Sequence, residues 1–308
     1  MRKFATDIGY GHTKVKSSEK EFKFPTAIKL LKAQMIENQD FLLFEGKKYV
    51  VGEDALRGAI STRDYSFIYK YAPLLIHHGL LLTGIDPKEE IEVLTGLSLY
   101  DMEKPAEFDL KCASRKEEFK KRISKFTIND TVYEYDIKLF AQGQGSWSNF
   151  SSKYGYVENG YEIVADIGFR TNDILVFANG QPSKGESMAD DKGVNVIVSE
   201  LKTVINKKYD IDLTEQEVNE ILKTKSISIY GVEKDLTQAI SEIVENYIDE
   251  IFSKLKSNFG NILKSAKRVI FSGGGAYILK NNMEEFPANV FFDDGDFEFG
   301  NVRGYYNA

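Results

Sequence analysis

The sequence predicts an α/β fold of two lobes built on one plan, each opening on a strand–turn–strand hairpin. Three observations predict it. A strand that ends in a carboxylate and a glycine turn opens the chain, at Thr6-Asp7-Ile8-Gly9-Tyr10-Gly11. The pattern returns at Ala165-Asp166-Ile167-Gly168-Phe169, with Asp166 falling on Asp7, Gly168 on Gly9 and Phe169 on Tyr10. A third glycine turn, Gly273-Gly274-Gly275, joins an apolar strand to a helix. A repeated tripeptide alone carries little weight; the shared strand–turn–strand setting carries more.

In chain order, strands are expected at 3–8 and 12–16, then an extended piece at 20–24 ended by Pro25. Residues 41–51 read as a hairpin with its turn at Glu45-Gly46-Lys47, and a helix is expected to start near Gly52. Residues 69–83 have the apolar spacing of a buried helix, and 92–97 read as a buried strand. The charged stretch 111–125 reads as a solvated helix or edge hairpin, followed by a hairpin across Asn129-Asp130 and a strand at 137–141. Ser, Asn and Gly cluster at 149–160, which is the expected break between halves. Beyond it come a strand at 161–165, an amphipathic stretch at 194–207, a capped helix start at Thr214 and Glu217, and a long helix over 236–255. The expected division is 1–155 for the first lobe, with a smaller part at about 20–70, and 156–308 for the second, with a smaller part at about 195–260.

Composition narrows the function. A formal charge of −7 over 308 residues argues against a broad nucleic-acid surface, which would need clustered Lys and Arg. Cys112 is the sole cysteine, so an internal disulfide and a Cys-rich zinc site are excluded and a reducing compartment fits. Residues 1–15 lack the apolar core of a signal peptide, and the apolar stretch 73–82 is too short to span a bilayer. A cytoplasmic protein is expected.

The three glycine motifs carry the chemistry. Glycine removes side-chain bulk, so the N–H groups of a tight turn can face a phosphate. A carboxylate beside a triphosphate is repelled unless it faces a divalent cation, which makes Asp7 a metal-shell candidate and Asp166 its counterpart on the opposite side. Gly9, Gly11 and Thr13 belong to the first hairpin, where Lys14 or His12 would neutralise phosphate charge; Gly168, Thr171 and Asn172 belong to the second. An ordinary tight hairpin would account for the first motif taken alone.

The ordered set resembles the ATPase superfamily that includes actin, the DnaK-type chaperones and the sugar kinases. It is most similar to bacterial actin-like proteins of the ParM/StbA plasmid-segregation type, with echoes at Val51-Gly52-Glu53, Val93-Leu94-Thr95-Gly96-Leu97, Phe140-Ala141-Gln142-Gly143, Ser272-Gly273-Gly274-Gly275-Ala276 and Asn301-Val302-Arg303-Gly304-Tyr305. The resemblance implies an actin-like ATPase fold, two RNase H-like lobes around a nucleotide cleft, holding ATP or ADP with Mg2+. It implies that Gln142 orients the attacking water, with Gln144 as its rival; Ala141 stands where many relatives have proline. It implies that adenosine lies between Gly273 to Gly275 and a helix offering Glu220 and Lys223, two residues that would also make a surface ion pair. Catalytic roles then fall to Gln142 and Asp166, and metal binding to Asp7 and Asp166. The implied partners are further copies of the chain in a filament and a DNA-binding adaptor, with no membrane.

A metabolite kinase of the same fold is the competing reading. It needs a carboxylate base, and after Gln142 no Asp or Glu comes before Glu158; Asp166 is the residue that could still serve. A DnaK-type chaperone would be expected to continue past Ala308.

Overall fold

The computed structural model describes residues 1–31, 40–62, 64–293 and 295–308. The first half starts as an antiparallel meander, β1 (Arg2–Ile8), β2 (His12–Lys16) and β3 (Glu21–Pro25). A small sheet follows, β4 (Ile28–Leu30), β5 (Leu42–Phe44) and β6 (Lys47–Val51), in the expected smaller part; residues 32–39 and 63 of that part lie outside the described residues. Helix α1 (Tyr65–Thr83) begins a turn before the expected start because Asp64 caps it, accepting from the Phe67 N–H. It stops at Gly84, whose φ of 76° is left-handed. Then come β7 (Ile91–Leu97), buried along its whole length, α2 (Leu99–Met102), α3 (Arg115–Ser124), the hairpin β8 (Lys125–Ile128) and β9 (Thr131–Glu134), β10 (Asp136–Ala141) and α4 (Gln144–Tyr154). The charged stretch is thus a helix, and it sinks Phe119 and Ile123 into the core.

The second half starts with β11 (Tyr161–Ile167) and β12 (Asn172–Ala178), followed by β13 (Gln181–Pro182) and β14 (Met188–Asp190). Helices α5 (Asn195–Tyr209) and α6 (Glu215–Thr224), the hairpin β15 (Ser226–Ile229) and β16 (Val232–Asp235), and α7 (Thr237–Ser265) come next. The chain ends with β17 (Ala266–Ser272), α8 (Ala276–Asn282), β18 (Val290–Phe292) and α9 (Gly300–Asn307).

The two main sheets repeat one topology. The first runs β3-β2-β1-β7-β10, antiparallel on one side of β1 and parallel on the other. The second places β12 antiparallel beside β11, with β13 and β14 beyond it, and β17 then β18 parallel on the other side. The predicted two-lobe α/β plan is therefore present.

Several local expectations differ. The helix expected at Gly52 is a single 3-10 turn, Gly52–Ala55. The break expected at 149–160 is helical as far as Tyr154, because Trp147 and Phe150 of α4 pack on Val164, Phe177 and Ile270 of the second sheet. The long helix runs to Ser265, ten residues past its expected end at Leu255, through a non-helical step at Phe259.

Helices α4 and α9 exchange sides. α4 leaves the first sheet to cover the second, while α9 returns to the first, where Val302 and Tyr305 pack on Ala5 and Leu94. They touch at glycines: a Cβ on Gly304 would lie 1.8 Å from the Gly145 carbonyl oxygen, and one on Gly145 would lie 2.4 Å from that of Asn301. This crossing draws the ends of β1, β10, β11 and β17 together. Among the described residues no helix is long and apolar enough to cross a membrane.

Candidate functional site

Both hairpins have the same register. Asp7 pairs with Lys14 across β1 and β2, and Asp166 pairs with Asp173 across β11 and β12. Their turns are closed tightly: a Cβ on Gly9 would stand 2.8 Å from the His12 carbonyl oxygen, and one on Gly168 would stand 3.0 Å from that of Thr171. The turns also face each other, since a Cβ on Gly11 would lie 3.7 Å from Cβ of Phe169.

The loop after β10 joins them. The Gln142 backbone N–H donates to the Leu97 carbonyl, and its side-chain Nε2 donates to Asp7 Oδ1 at 3.0 Å. Gln142, not Gln144, makes this contact. Gly143 follows at φ 88°, a left-handed conformation suited to glycine, and a Cβ there would lie 3.5 Å from Cβ of Asp166. Asp166 Oδ2 accepts from Asn301 Nδ2 at 2.6 Å. The third motif closes on the same carboxylate, for a Cβ on Gly273 would stand 2.5 Å from Asp166 Oδ1. A Cβ on Gly275 would run into Ile167 at 2.1 Å, so this turn must be bare for the strand to pass.

Electrostatics are unbalanced here. Burial raises the Asp7 carboxyl, while Lys14, with Nζ 3.8 Å from Oδ2, and the Gln142 hydrogen bond hold it down. Asp166 is pushed up to about 7, first by burial and then by the charge of Asp7, against the Asn301 bond. Asp7 and Asp166 are thus two desolvated carboxylates with little positive charge beside them, the type of group that could hold a cation. Among the described residues no cluster of three or more His, Cys, Asp or Glu could hold a metal alone.

Other expected site residues have different surroundings. His12 is exposed at the start of β2, with a pKa lowered by partial desolvation and then by Lys14. Thr13 turns inward: its hydroxyl meets that of Thr26 at 2.8 Å, and Thr26 Oγ1 donates to the Gly9 carbonyl at 2.6 Å. Asn172 gives its amide to the Lys192 carbonyl, and the Thr171 carbonyl accepts from Gly168. These side chains brace the hairpins. Glu220 and Lys223 bond to each other at 2.7 Å on the exposed face of α6, and no hydrogen bond among the described residues joins them to the glycine turns.

Sequence reasoning missed the ties between lobes. Asp173 accepts from the Ser98 hydroxyl at 2.8 Å and the Leu99 N–H at 2.7 Å. Arg170 donates to Asp101 at 3.1 Å and to the Tyr10 hydroxyl, and Arg115 also reaches Asp101. Arg170 and Asp173 flank Thr171 and Asn172 of the second hairpin in the chain, and that proximity was the available signal for them.

Two half-molecules of one topology, meeting at paired carboxylate hairpins, define the actin class of fold. Residues 5–145 match the family described as the N-terminal domain of actin-like proteins, and 164–285 match the C-terminal part of the archaeal MreB-like actin homologues. Each half of the chain thus matches a family of actin-like proteins. Among solved structures it is similar to the archaeal actin homologue Ta0583, with a TM-score of 0.81 and 21% identity, covering 100% of this chain and 98% of that one. The complex of Ta0583 with ADP gives 0.75 and 21%, with coverage of 100% and 98%. A 15-stranded ParM filament from Clostridium botulinum gives 0.78 and 20%, with coverage of 100% and 99%. No curated protein sequence matches the chain.

Proposed function

We propose that this chain is an ATPase that binds ATP with Mg2+ between its lobes and assembles with its own copies into nucleotide-dependent filaments for plasmid or other DNA segregation. The observation that carries the reading is the convergence of Asp7, Gln142, Asp166 and Gly273 at one point between the facing turns. Asp7 and Asp166 would hold Mg2+, which when bound neutralises phosphate charge. The N–H groups of the two turns would hold the phosphates. The neutral Gln142 amide can both donate to and accept from a water, which suits orientation more than proton removal. A solved relative is described as a complex with ADP and another as a filament, which supports both halves of the reading. The acidic charge of −7 favours a DNA-binding adaptor over direct DNA contact, in the cytoplasm.

Light scattering of the purified protein tests this. Scattering should grow with Mg2+ and ATP, fall as phosphate is released, and stay flat with ATP and no Mg2+. A lasting monomer that consumes ATP only with an added metabolite would replace the filament with a kinase.

A further inference from the structure

Asn301 lies in the terminal helix α9, more than 130 residues from the groups it touches. Its side chain is buried and makes bonds in two directions. Nδ2 donates to Asp166 Oδ2 at 2.6 Å. Oδ1 accepts from the backbone N–H of Gly143 at 2.9 Å and of Ser146 at 3.3 Å. Gly143 and Ser146 carry N–H groups at the start of α4, where a helix leaves donors unpaired. Gly143 is the N-cap and supplies no side chain, so a residue from another helix does the capping.

We propose that Asn301 is a positioning residue that ties the turn carrying Gln142 to Asp166, making one unit of two groups that come from different lobes. This rests on the ATPase reading for its consequence, though the tie itself is independent of it. An amide is the neutral side chain that can donate with one atom and accept with the other. Aspartate at 301 would keep the acceptor and lose the donor; alanine would lose both. The position is fixed from behind by the glycine crossing, where Gly145 and Gly304 allow α4 and α9 to touch backbone to backbone. Ser146 adds a second link, its hydroxyl meeting that of Ser272 at 2.5 Å next to the triple-glycine turn. Shifts of the α4–α9 crossing therefore move Gln142 and Asp166 together.

The test compares Asn301→Asp with Asn301→Ala in the full chain, by ATP turnover, binding of a fluorescent ADP, melting temperature and amide exchange over residues 142–147. Both variants should lose about 10- to 100-fold in kcat while KM and ADP affinity stay within about threefold, as expected when reacting groups are misaligned by a fraction of an ångström. Exchange at Gly143 and Ser146 should rise about tenfold or more in Asn301→Ala and stay at the wild-type level in Asn301→Asp, because only the former loses the acceptor. Wild-type kcat and exchange in both folded variants would overturn the tie, as would a parallel fall of kcat, ADP affinity and melting temperature in both, which marks a purely structural residue. Should Asn301→Asp melt too early to assay, adding Asp166→Asn reverses the polarity of the bond. The melting temperature then recovers if the bond is as described, and no recovery overturns it. A wild-type protein that consumes no ATP removes the ATPase reading and leaves the exchange measurement to decide the tie.

Discussion

The two hairpins share a register and a carboxylate at the same strand position, yet they differ in what stands opposite it. In the first lobe Lys14 faces Asp7. In the second, Asp173 faces Asp166. Residues opposite each other in an antiparallel pair point to the same face, so each pair interacts directly. The first copy is partly compensated: burial leaves the Asp7 carboxyl raised, and Lys14 opposes it. The second sets carboxylate against carboxylate: Asp173 is raised well above the ordinary carboxylate value, by burial first and by Asp166 second, while Asp166 rises to about 7 by burial and then by Asp7 of the other hairpin. Asp173 also has another task, because Ser98 and Leu99 of the first lobe bond to it. One backbone position therefore serves cation-to-carboxylate balance in one copy and a tie between lobes in the other. A repeated plan fixes where side chains point and leaves their work to local chemistry.

The largest effect of this difference is on stability against pH in the nucleotide-free protein. At a pH below the ordinary carboxylate value of 3.8, Asp166 is protonated in folded and unfolded chains alike. As pH rises from there to about 7, the unfolded chain ionises while folded Asp166 keeps its proton. The folded state then binds more protons, so stability is lost with rising pH. Asp173 adds to the loss in the same direction. His12, His77 and His78, whose pKa values burial lowers, act in the opposite direction over the same window, so the Asp166 share is read against Asp166→Asn, in which they cancel. Between about pH 4.5 and about pH 7.5 in urea unfolding, wild type should lose roughly 2 to 4 kcal/mol more than that variant. The same change in both proteins would show that Asp166 carries no such imbalance.

The next effect isolates the partner of Asp166. Asp173→Asn keeps an oxygen that can accept from both Ser98 and Leu99, and it removes a carboxyl that folding forces to stay protonated. The variant should be more stable than wild type near neutral pH, read as a higher melting temperature. It should also flatten the pH dependence. Destabilisation would mean that the negative charge of Asp173, and not its oxygen, holds the lobes together.

What was legible in the sequence is what is local. Gly9 and Gly168 are required by carbonyls three residues further on, so the turns announce themselves in a few letters. The plan of paired lobes followed from those letters and the apolar strands around them. Gln142 came through family resemblance, and its contact with Asp7 spans 135 residues. Asn301 and the Ser98–Asp173 tie were not readable because their partners are far apart in the chain and no spacing encodes them. The end of helix α4, residues 149–154, reads as part of a break because Asn149, Ser151 and Ser152 look like loop; Trp147 and Phe150, packed on the second sheet, keep it helical. Glu220 and Lys223 came with the resemblance and sit at the surface bonded to each other.

The smallest effect, and the sharpest for the comparison, comes from making the first hairpin resemble the second. Lys14→Met removes the cation opposite Asp7 and keeps most of the apolar stem. Asp7 then retains the Gln142 hydrogen bond, but burial and the charge of Glu298 push it up without opposition from Lys14. Its folded pKa should rise, so the nucleotide-free variant should lose more stability than wild type as pH climbs through the same window. The Lys14 Nζ lies 3.8 Å from Asp7, beyond hydrogen-bond length, and an Asp7 left without it can take up a proton instead of staying a bare buried charge, so the extra loss should be smaller than the two effects above. Measured by the same pair of urea titrations, Lys14→Met should widen the gap between acid and neutral pH where Asp173→Asn narrows it. An unchanged gap would mean that Gln142 alone holds Asp7 down, and that the contrast between the hairpins lies in Asp173 and not in Lys14.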